Sequence, residues 1–380
     1  MEFKRLGDVA TFVNGFAFKS EHWQENGLPI IRIQNLTKSD GTMNYFKGDI
    51  DRKYIVNNGD ILIAWSASLG VHEWNGEQAV LNQHIFKVVF DKVEVNKSYF
   101  KYMVSQALIT ATKFLHGSTM KHLTKKYFDD IEIPFPSLKI QQKIGEVLDK
   151  ANGLISKRQS QIKAFEELTQ SLFLEMFGDP VINPQNLTKK KLGETGELKR
   201  GMSKHRPRNA PELLNGPYPL IQTGDVSRAG LFIESFTSTY SELGLKQSKI
   251  WGAGTLCITI AANIAQTSIL KIDACFPDSV VGYKPFEGMN TIFVHYWFSF
   301  FQKILENSAP ESAQKNINLK ILNDIEVITP SIEEQNEFAC KVQKIYENKL
   351  KLEEAKLVTE GMYSSLLQKA FKGELFQDQP

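Results

Sequence analysis

The sequence predicts an α+β protein written twice, in which a domain of mixed sheet and helix is followed each time by a long helix. Two observations carry this: a motif series that returns at constant spacing, and two stretches of helical apolar periodicity about forty residues long. Asp130-Ile131-Glu132-Ile133 and Pro136-Ser137-Leu138 reappear 194 residues later as Asp324-Ile325-Glu326-Val327 and Pro330-Ser331-Ile332. At that offset Gln141 falls on Gln335, Leu168-Thr169 on Met362-Tyr363, Ser171-Leu172 on Ser365-Leu366, and Phe177 on Phe371. Earlier in each copy the match is looser. Leu6-Gly7-Asp8 is echoed by Leu192-Gly193-Glu194, residues 27–31 by 216–221, and residues 59–63 by 254–258, with drifting offsets that mark loops of different length.

Taken in order, residues 1–135 form the first globular domain, 136–180 the first long helix, 181–329 the second domain and 330–380 the second helix. Strands are expected at Pro29 to Gln34, Ile61 to Trp65, Ile85 to Phe90 and Ile131 to Pro134, each bounded by turn residues. A helix is expected from Tyr99 to Leu115, with a counterpart from Val294 to Leu305. The first long helix carries Ile144, Val147, Ala151, Leu154, Ile162, Phe165, Leu168, Leu172 and Met176 on one face. Arg158 interrupts that seam, as a stutter or a polar layer that sets register would. The second shows Phe338, Val342, Ile345, Leu352, Tyr363, Leu366, Leu367 and Phe371. Ser137 and Ser331 follow prolines as helix caps, while Gly178-Asp179-Pro180 and Lys372-Gly373 end the helices. Two equal helices in a duplicated chain are expected to pair as an antiparallel coiled coil, a rod of about 60 Å.

Composition narrows the function. Hydrophobic residues make up 42% and charged residues 23%, ordinary values for a globular chain. The net charge of +2 means that any nucleic-acid binding must rest on local basic clusters. Cys257, Cys275 and Cys340 are widely spaced and odd in number, which fits buried thiols in a reducing compartment. The opening Met1-Glu2-Phe3-Lys4-Arg5 lacks the apolar core of a signal peptide, and no apolar run approaches the roughly 20 residues of a membrane span, so a cytoplasmic location is expected.

Catalytic patterns are not met. Asn183-Pro184-Gln185-Asn186 lacks the second proline and aromatic residue of a base methyltransferase tetrapeptide, and Gly252-Ala253-Gly254-Thr255 is not followed by the Lys of a phosphate-binding loop. Glu197-Leu198-Lys199 and Glu354-Ala355-Lys356 match the nuclease Glu-x-Lys pattern, which is common on any charged surface. Among the scattered histidines, His116 and His122 lie six apart, poor spacing for two ligands on one helix face. No metal site is expected.

DNA-contacting candidates are more specific. Asn186 to Asn209 carries eight Lys or Arg against two Glu, and Lys199, Arg200, Lys204, Arg206 and Arg208 lie in its polar, loop-like portion. Lys189 to Lys191 read equally well as a solvated linker. In the first half Ser118, Thr119, Lys121, His122 and Lys125 lie between helix and final strand, and Lys315 and Asn316 occupy the equivalent stretch of the second. Gln34, Asn35, Asn82, Gln83 and His84, with Gln222, Thr223 and Asn263, add side chains able to read base edges.

A variable domain, the Pro-Ser-Leu-x-x-Gln-Gln entry at Pro136 to Gln142 and a long helix, all repeated, resemble the specificity subunit of type I restriction–modification systems. The Leu-Gly-Asp opening, the Ile-Pro-x-Pro element at Ile133 to Pro136 and the Phe-Gly-Asp-Pro ending at Phe177 to Pro180 fit as well. The resemblance spans essentially the whole chain, with departures at Glu194 and Ile328-Thr329-Pro330. It implies two target-recognition domains separated by antiparallel helices, each reading half of a bipartite, asymmetric site in double-stranded DNA. It further implies no catalytic centre and no cofactor in this chain. The partners would be two modification (methyltransferase) subunits using S-adenosylmethionine, docked on the helices, and restriction subunits using ATP and Mg. The alternative is a non-enzymatic coiled-coil nucleic-acid-binding or scaffold protein without a methyltransferase partner.

Overall fold

The computed structural model describes residues 2–37, 42–66, 68–114, 125–261, 264–300 and 317–376. Two compact units emerge, and their boundaries cut both long helices: Met1–Gln159 groups with Glu354–Pro380, and Ser160–Glu353 forms the other. The reason is that each globular part packs on the beginning of the long helix that follows it and on the end of the other long helix. The helices span Leu138–Phe177 and Ile332–Lys372.

The units share one plan. In the first, a four-stranded sheet runs Thr11–Asn14, Ile85–Val89, Ile61–Ala64, Gly70–Glu73, and a second runs Asn44–Phe46, Leu28–Ile31, Ala79–Leu81, Ile55–Val56. The other unit repeats both orders as Gly196–Arg200, Val280–Pro285, Leu256–Thr259, Thr267–Leu270, and as Ser238–Tyr240, Leu214–Leu220, Ala274–Cys275, Ile250–Trp251. Phe232–Ile233 adds a fifth strand to the former, parallel to Thr267–Leu270. The second sheet is antiparallel except at its middle, where Leu28–Ile31 pairs parallel with Ala79–Leu81 and Leu214–Leu220 with Ala274–Cys275.

The duplicated motifs do the same work in both places. Phe3–Arg5 pairs antiparallel with Glu132–Pro134, and Lys189–Lys191 with Glu326–Ile328, so the latter lysines form a strand rather than a linker. Directly after each strand the Leu of the Leu-Gly motif is buried, and its N–H donates 2.8 Å to the Ile131 or Ile325 carbonyl.

At the helix entry the buried Gln141 accepts from the Asn96 N–H (3.0 Å) and donates to the Pro136 carbonyl (2.9 Å). Gln335, also buried, accepts from the Asn290 N–H (2.9 Å) and donates to the Pro330 carbonyl (2.9 Å). Asn96 and Asn290 in turn accept at Oδ1 from Tyr99 N and Ile292 N, both at 2.9 Å, capping the helices Lys97–Phe114 and Thr291–Trp297. The constant register of the repeat thus reaches back to these asparagines, and the second helix begins before the expected Val294.

Within each unit the two helix segments run antiparallel. In the first, Ile140, Ile144 and Leu148 share a core with Phe12, Phe86, Phe100, Phe128 and Ala370, and Tyr363, Leu366, Leu367 and Phe371 pack against it. Tyr102 donates to Asp149 (2.7 Å) and meets the Tyr363 ring edge-on at 6.1 Å. Arg158 donates to the Ala355 carbonyl and to Thr359 Oγ1, which makes the interruption of the seam a polar layer. In the second unit Phe173 and Phe177 pack on Phe293 and Phe338, with Phe173 and Phe293 stacked at 5.5 Å. Each buried Phe contributes roughly 1.5–3 kcal/mol. Lys349 reaches Glu166 at 2.6 Å.

The caps are where the sequence places them. Ser331 and Glu334 form a reciprocal capping box, and Gly178 and Gly373 take φ of 73° and 74° where the helices end. One expectation needs correction: the strand from Pro29 stops at Ile31, and Gln34 lies in a short helix, Ile33–Thr37. Asn35 Oδ1 accepts the Arg32 N–H (3.1 Å), a side-chain bond that satisfies the first turn and competes with continued strand pairing.

Two measurements check this account. Gln141→Leu and Gln335→Leu each strand a buried N–H and a buried carbonyl, and each should cost about 1–3 kcal/mol per orphaned group in denaturant unfolding. A loss under about 0.5 kcal/mol in both would remove the glutamines from the framework. Burial lowers the His295 pKa from its ordinary value to about 4, so the unfolded chain binds more protons between those values. Stability should therefore fall as pH drops from about 6.5 towards 4, and His295→Gln should flatten that part of the profile.

Candidate nucleic-acid interface

In each unit three segments meet at one corner of the parallel-paired strands. They are the loop leaving the strand Thr11–Asn14 or Gly196–Arg200, the start of the short helix after the parallel strand, and the turn after its parallel partner. Backbone bonds close the first corner: Phe16 N to Leu81 O (2.8 Å), Gln83 N to Phe16 O (2.9 Å) and Asn82 N to Ile31 O (3.1 Å). The second closes with Met202 N to Phe276 O (3.2 Å), the counterpart of Phe16 N to Leu81 O, with Gly201 N to Val280 O (2.9 Å), the counterpart of Gly15 N to Ile85 O (3.1 Å), and with Ile221 N to Cys275 O (2.8 Å). Gly15 and Gly201 occupy the same point of closest approach. A Cβ would run into the Asn82 carbonyl at the first and the Phe276 and Pro277 carbonyls at the second, so only glycine lets the loop close.

This corner collects most of the described candidates. In the first unit Gln34 is exposed on the short helix. Asn35 is half-buried, and its amide donates to the Thr42 carbonyl (3.3 Å) besides holding Arg32, so it shapes the corner. Asn82, Gln83 and His84 form the turn, with His84 at φ 72° and its ring 5.0 Å from that of Trp65. In the second unit Gln222 precedes the helix Thr223–Ala229 as its cap residue; its backbone N–H donates to Asp225 Oδ2 (2.9 Å) and its side chain donates to Ser238 Oγ (3.1 Å). Thr223 opens that helix, half-buried.

The basic residues converge here as well. Lys199 and Arg200 end the strand Gly196–Arg200. Lys199 is paired with Glu197, and their hydrogen bond holds that carboxyl below its ordinary range. Arg200 donates through Nε and Nη2 to the Asp278 carbonyl (2.9 and 2.7 Å). Arg206 and Arg208 approach the Asp278 carboxylate at 3.6 and 2.5 Å, and all three arginines are exposed. Lys204 is exposed on the same loop.

Lys125 lies elsewhere, on the helix Lys125–Asp129, paired with Asp129 at 2.9 Å. Ser118, Thr119, Lys121, His122, Asn263, Lys315 and Asn316 lie outside the described residues.

Three residues at the corners escaped the sequence reading. Trp23 is 46% exposed with the Arg32 guanidinium 5.6 Å from its ring, and Asp278 holds the arginines together. A lone Trp, Arg or Asp in a loop carries no periodicity, and only the matching folds align the turn at residues 82–84 with that at 277–279. The two corners differ in chemistry: aromatic and amide in one, cationic in the other. Among the described residues no three or more His, Cys, Asp or Glu are grouped to hold a metal ion, and no helix is long and apolar enough to cross a membrane.

Comparison with known proteins agrees with a repeated unit. The model of the type I restriction modification DNA specificity domain matches twice, over residues 1–164 and 184–359. The chain is 24% identical to the type I restriction enzyme EcoBI specificity subunit of Escherichia coli, covering 97% of this chain and 85% of that one. It is 22% identical to the MjaVIII specificity subunit of Methanocaldococcus jannaschii, covering 90% and 85%. The fold resembles the S subunit of a type I restriction–modification system from M. genitalium (TM-score 0.58, 15% identity, 100% and 96% of the chains). It also resembles a chain from a type I R-M system studied for complex assembly and conformational transition (TM-score 0.59, 16% identity, 98% of each).

If the second corner meets phosphates, replacing Lys204, Arg206 and Arg208 together by Ala should weaken binding to all duplex sequences alike. The slope of log K against log salt should shrink by about 0.9 for each phosphate interaction removed. Unchanged binding and slope in the triple variant would leave the cluster as plain surface.

Proposed function

Because the chain belongs to the type I restriction–modification DNA specificity family, we propose that it selects the DNA sequence on which such an enzyme acts. It is the specificity subunit, and methyl transfer and cleavage belong to other subunits of the complex. Residues 1–135 and 181–329 are the target-recognition domains, each reading one half of a bipartite, asymmetric site in double-stranded DNA. The observation that carries this reading is the corner built twice on one scaffold and furnished with different side chains. A common frame with unlike reading groups is what two unlike half-sites require.

On this reading Gln34, Gln83 and His84 face one half-site and Lys204, Arg206, Arg208 and Gln222 the other, the cations positioning the backbone and the amides reading base edges. The partners are two modification subunits, which bring S-adenosylmethionine, and restriction subunits, which bring ATP and Mg. The assembly works in the cytoplasm, where the host DNA is. A scaffold without a methyltransferase partner is disfavoured by family matches across both halves.

Exchange of residues 181–329 for the corresponding part of another family member tests the assignment. With the modification subunits present, sequencing of methylated bases should show one half of the site changed and the other retained. Change in both halves would overturn independent reading, and methyl transfer by the homogeneous chain alone would overturn the division of labour.

A further inference from the structure

We propose that Asp278 is a positioning residue for DNA recognition: it presets the arginines of the second corner so that they favour the correct DNA register rather than any DNA. This rests on the reading of the chain as a DNA-sequence selector. An anion at the centre of a cationic cluster is unexpected in a surface built only for affinity, because it repels the phosphates the cluster attracts. Here its placement is elaborate. The turn holding it is tight, with Val280 N donating to the Pro277 carbonyl at 3.0 Å. Its main-chain carbonyl is gripped by both Nε and Nη2 of Arg200. Its carboxylate stands between Arg206 Nη2 (3.6 Å) and Arg208 Nη2 (2.5 Å). Arg206 is held from its other side, donating through Nη1 to the carbonyls of Ser203 (2.6 Å) and His205 (2.8 Å). The loop itself is anchored by His205 N on Gln247 Oε1 (2.8 Å).

Arginine side chains lose much freedom when they bind phosphate or guanine, and holding them beforehand removes part of that cost. The interaction is nevertheless exchangeable. Asp278 Oδ1 is shielded from solvent and receives no aligned hydrogen bond, so its ion pair with Arg208 is close but imperfectly directed. A phosphate oxygen or a guanine edge in the right place can take the guanidinium over, while DNA in the wrong place meets a carboxylate. That difference is specificity by an introduced penalty. The equivalent place in the first unit is Gln83, which carries no charge, so the device belongs to the second half-site alone.

The test uses the full chain assembled with its modification subunits. The probes are a duplex bearing the methylated site, duplexes with one base pair changed in the half read by residues 181–329, and an unrelated duplex. For Asp278→Asn, nearly the same in shape, binding to the unrelated duplex should rise severalfold. Discrimination against the changed base pairs should fall by about tenfold, within the range a mismatched pair ordinarily commands, and the other half-site should be read as before. In an Arg206→Ala, Arg208→Ala background, whose exposed positions leave folding intact, the same change should have no further effect on discrimination. Unchanged discrimination in Asp278→Asn would overturn the proposal. So would a full effect in the double-arginine background, or a new preferred base pair in place of relaxed preference, which would make Asp278 a direct base contact. If the unaltered complex shows no sequence preference, the underlying function fails instead, a result separable from all of these.

Discussion

A buried glutamine side chain at the start of each long helix is the joint on which the rest of each unit depends. Gln141 and Gln335 each use both ends of the amide, accepting from the backbone of an asparagine that caps another helix and donating to the proline carbonyl that precedes their own. A glutamine sealed from water must find such partners or cost stability, so the joint permits only one seating. The long helix, the capped helix and the final strand are thereby set against one another. Apolar packing supplies the energy around the joint, and the amide supplies the geometry.

The Leu-Gly strand extension closes the other side of the same framework. Phe3–Arg5 and Lys189–Lys191 add a strand beside the last strand of their unit, and the buried leucine that follows locks it. What remains free to vary is the corner of the two sheets, reached through loops of unequal length. Variation there leaves the framework undisturbed, because no described loop residue of the corner takes part in the glutamine joint. This is the arrangement a recognition protein needs, since its reading groups can change while its assembly surfaces stay constant.

The polar layer at Arg158 follows a similar logic. A guanidinium that donates to the Ala355 carbonyl and the buried Thr359 hydroxyl forms a polar layer between the helix segments, and Leu154 and Leu168, expected on the apolar seam, are exposed instead. Such a group gives up some packing and in return disfavours shifted registers, in which its donors would find no partner.

The sequence by itself determined the duplication, the two long helices with their caps and ends, the mixed character of the globular parts and the family. All of these rest on local or strictly periodic signals: a constant offset from Asp130 to Phe177, heptad-like spacing, and Ser and Gly at helix boundaries. It also marked Gln34, Gln83, Lys204, Arg206 and Gln222 as candidates, though as separate groups. Only the tertiary structure decided that those of one unit share a corner of its sheets. Parallel pairing of Leu28–Ile31 with Ala79–Leu81, and of Leu214–Leu220 with Ala274–Cys275, brings together segments dozens of residues apart, and nothing local encodes that pairing. The same pairing put Gln34 in a helix and aligned the Asp278 turn with the Gln83 turn across loops whose offset had drifted. Asn35, a candidate reader in the sequence, proves to hold the Arg32 N–H, because a side-chain amide is read as structure or as function only once its partners are in place.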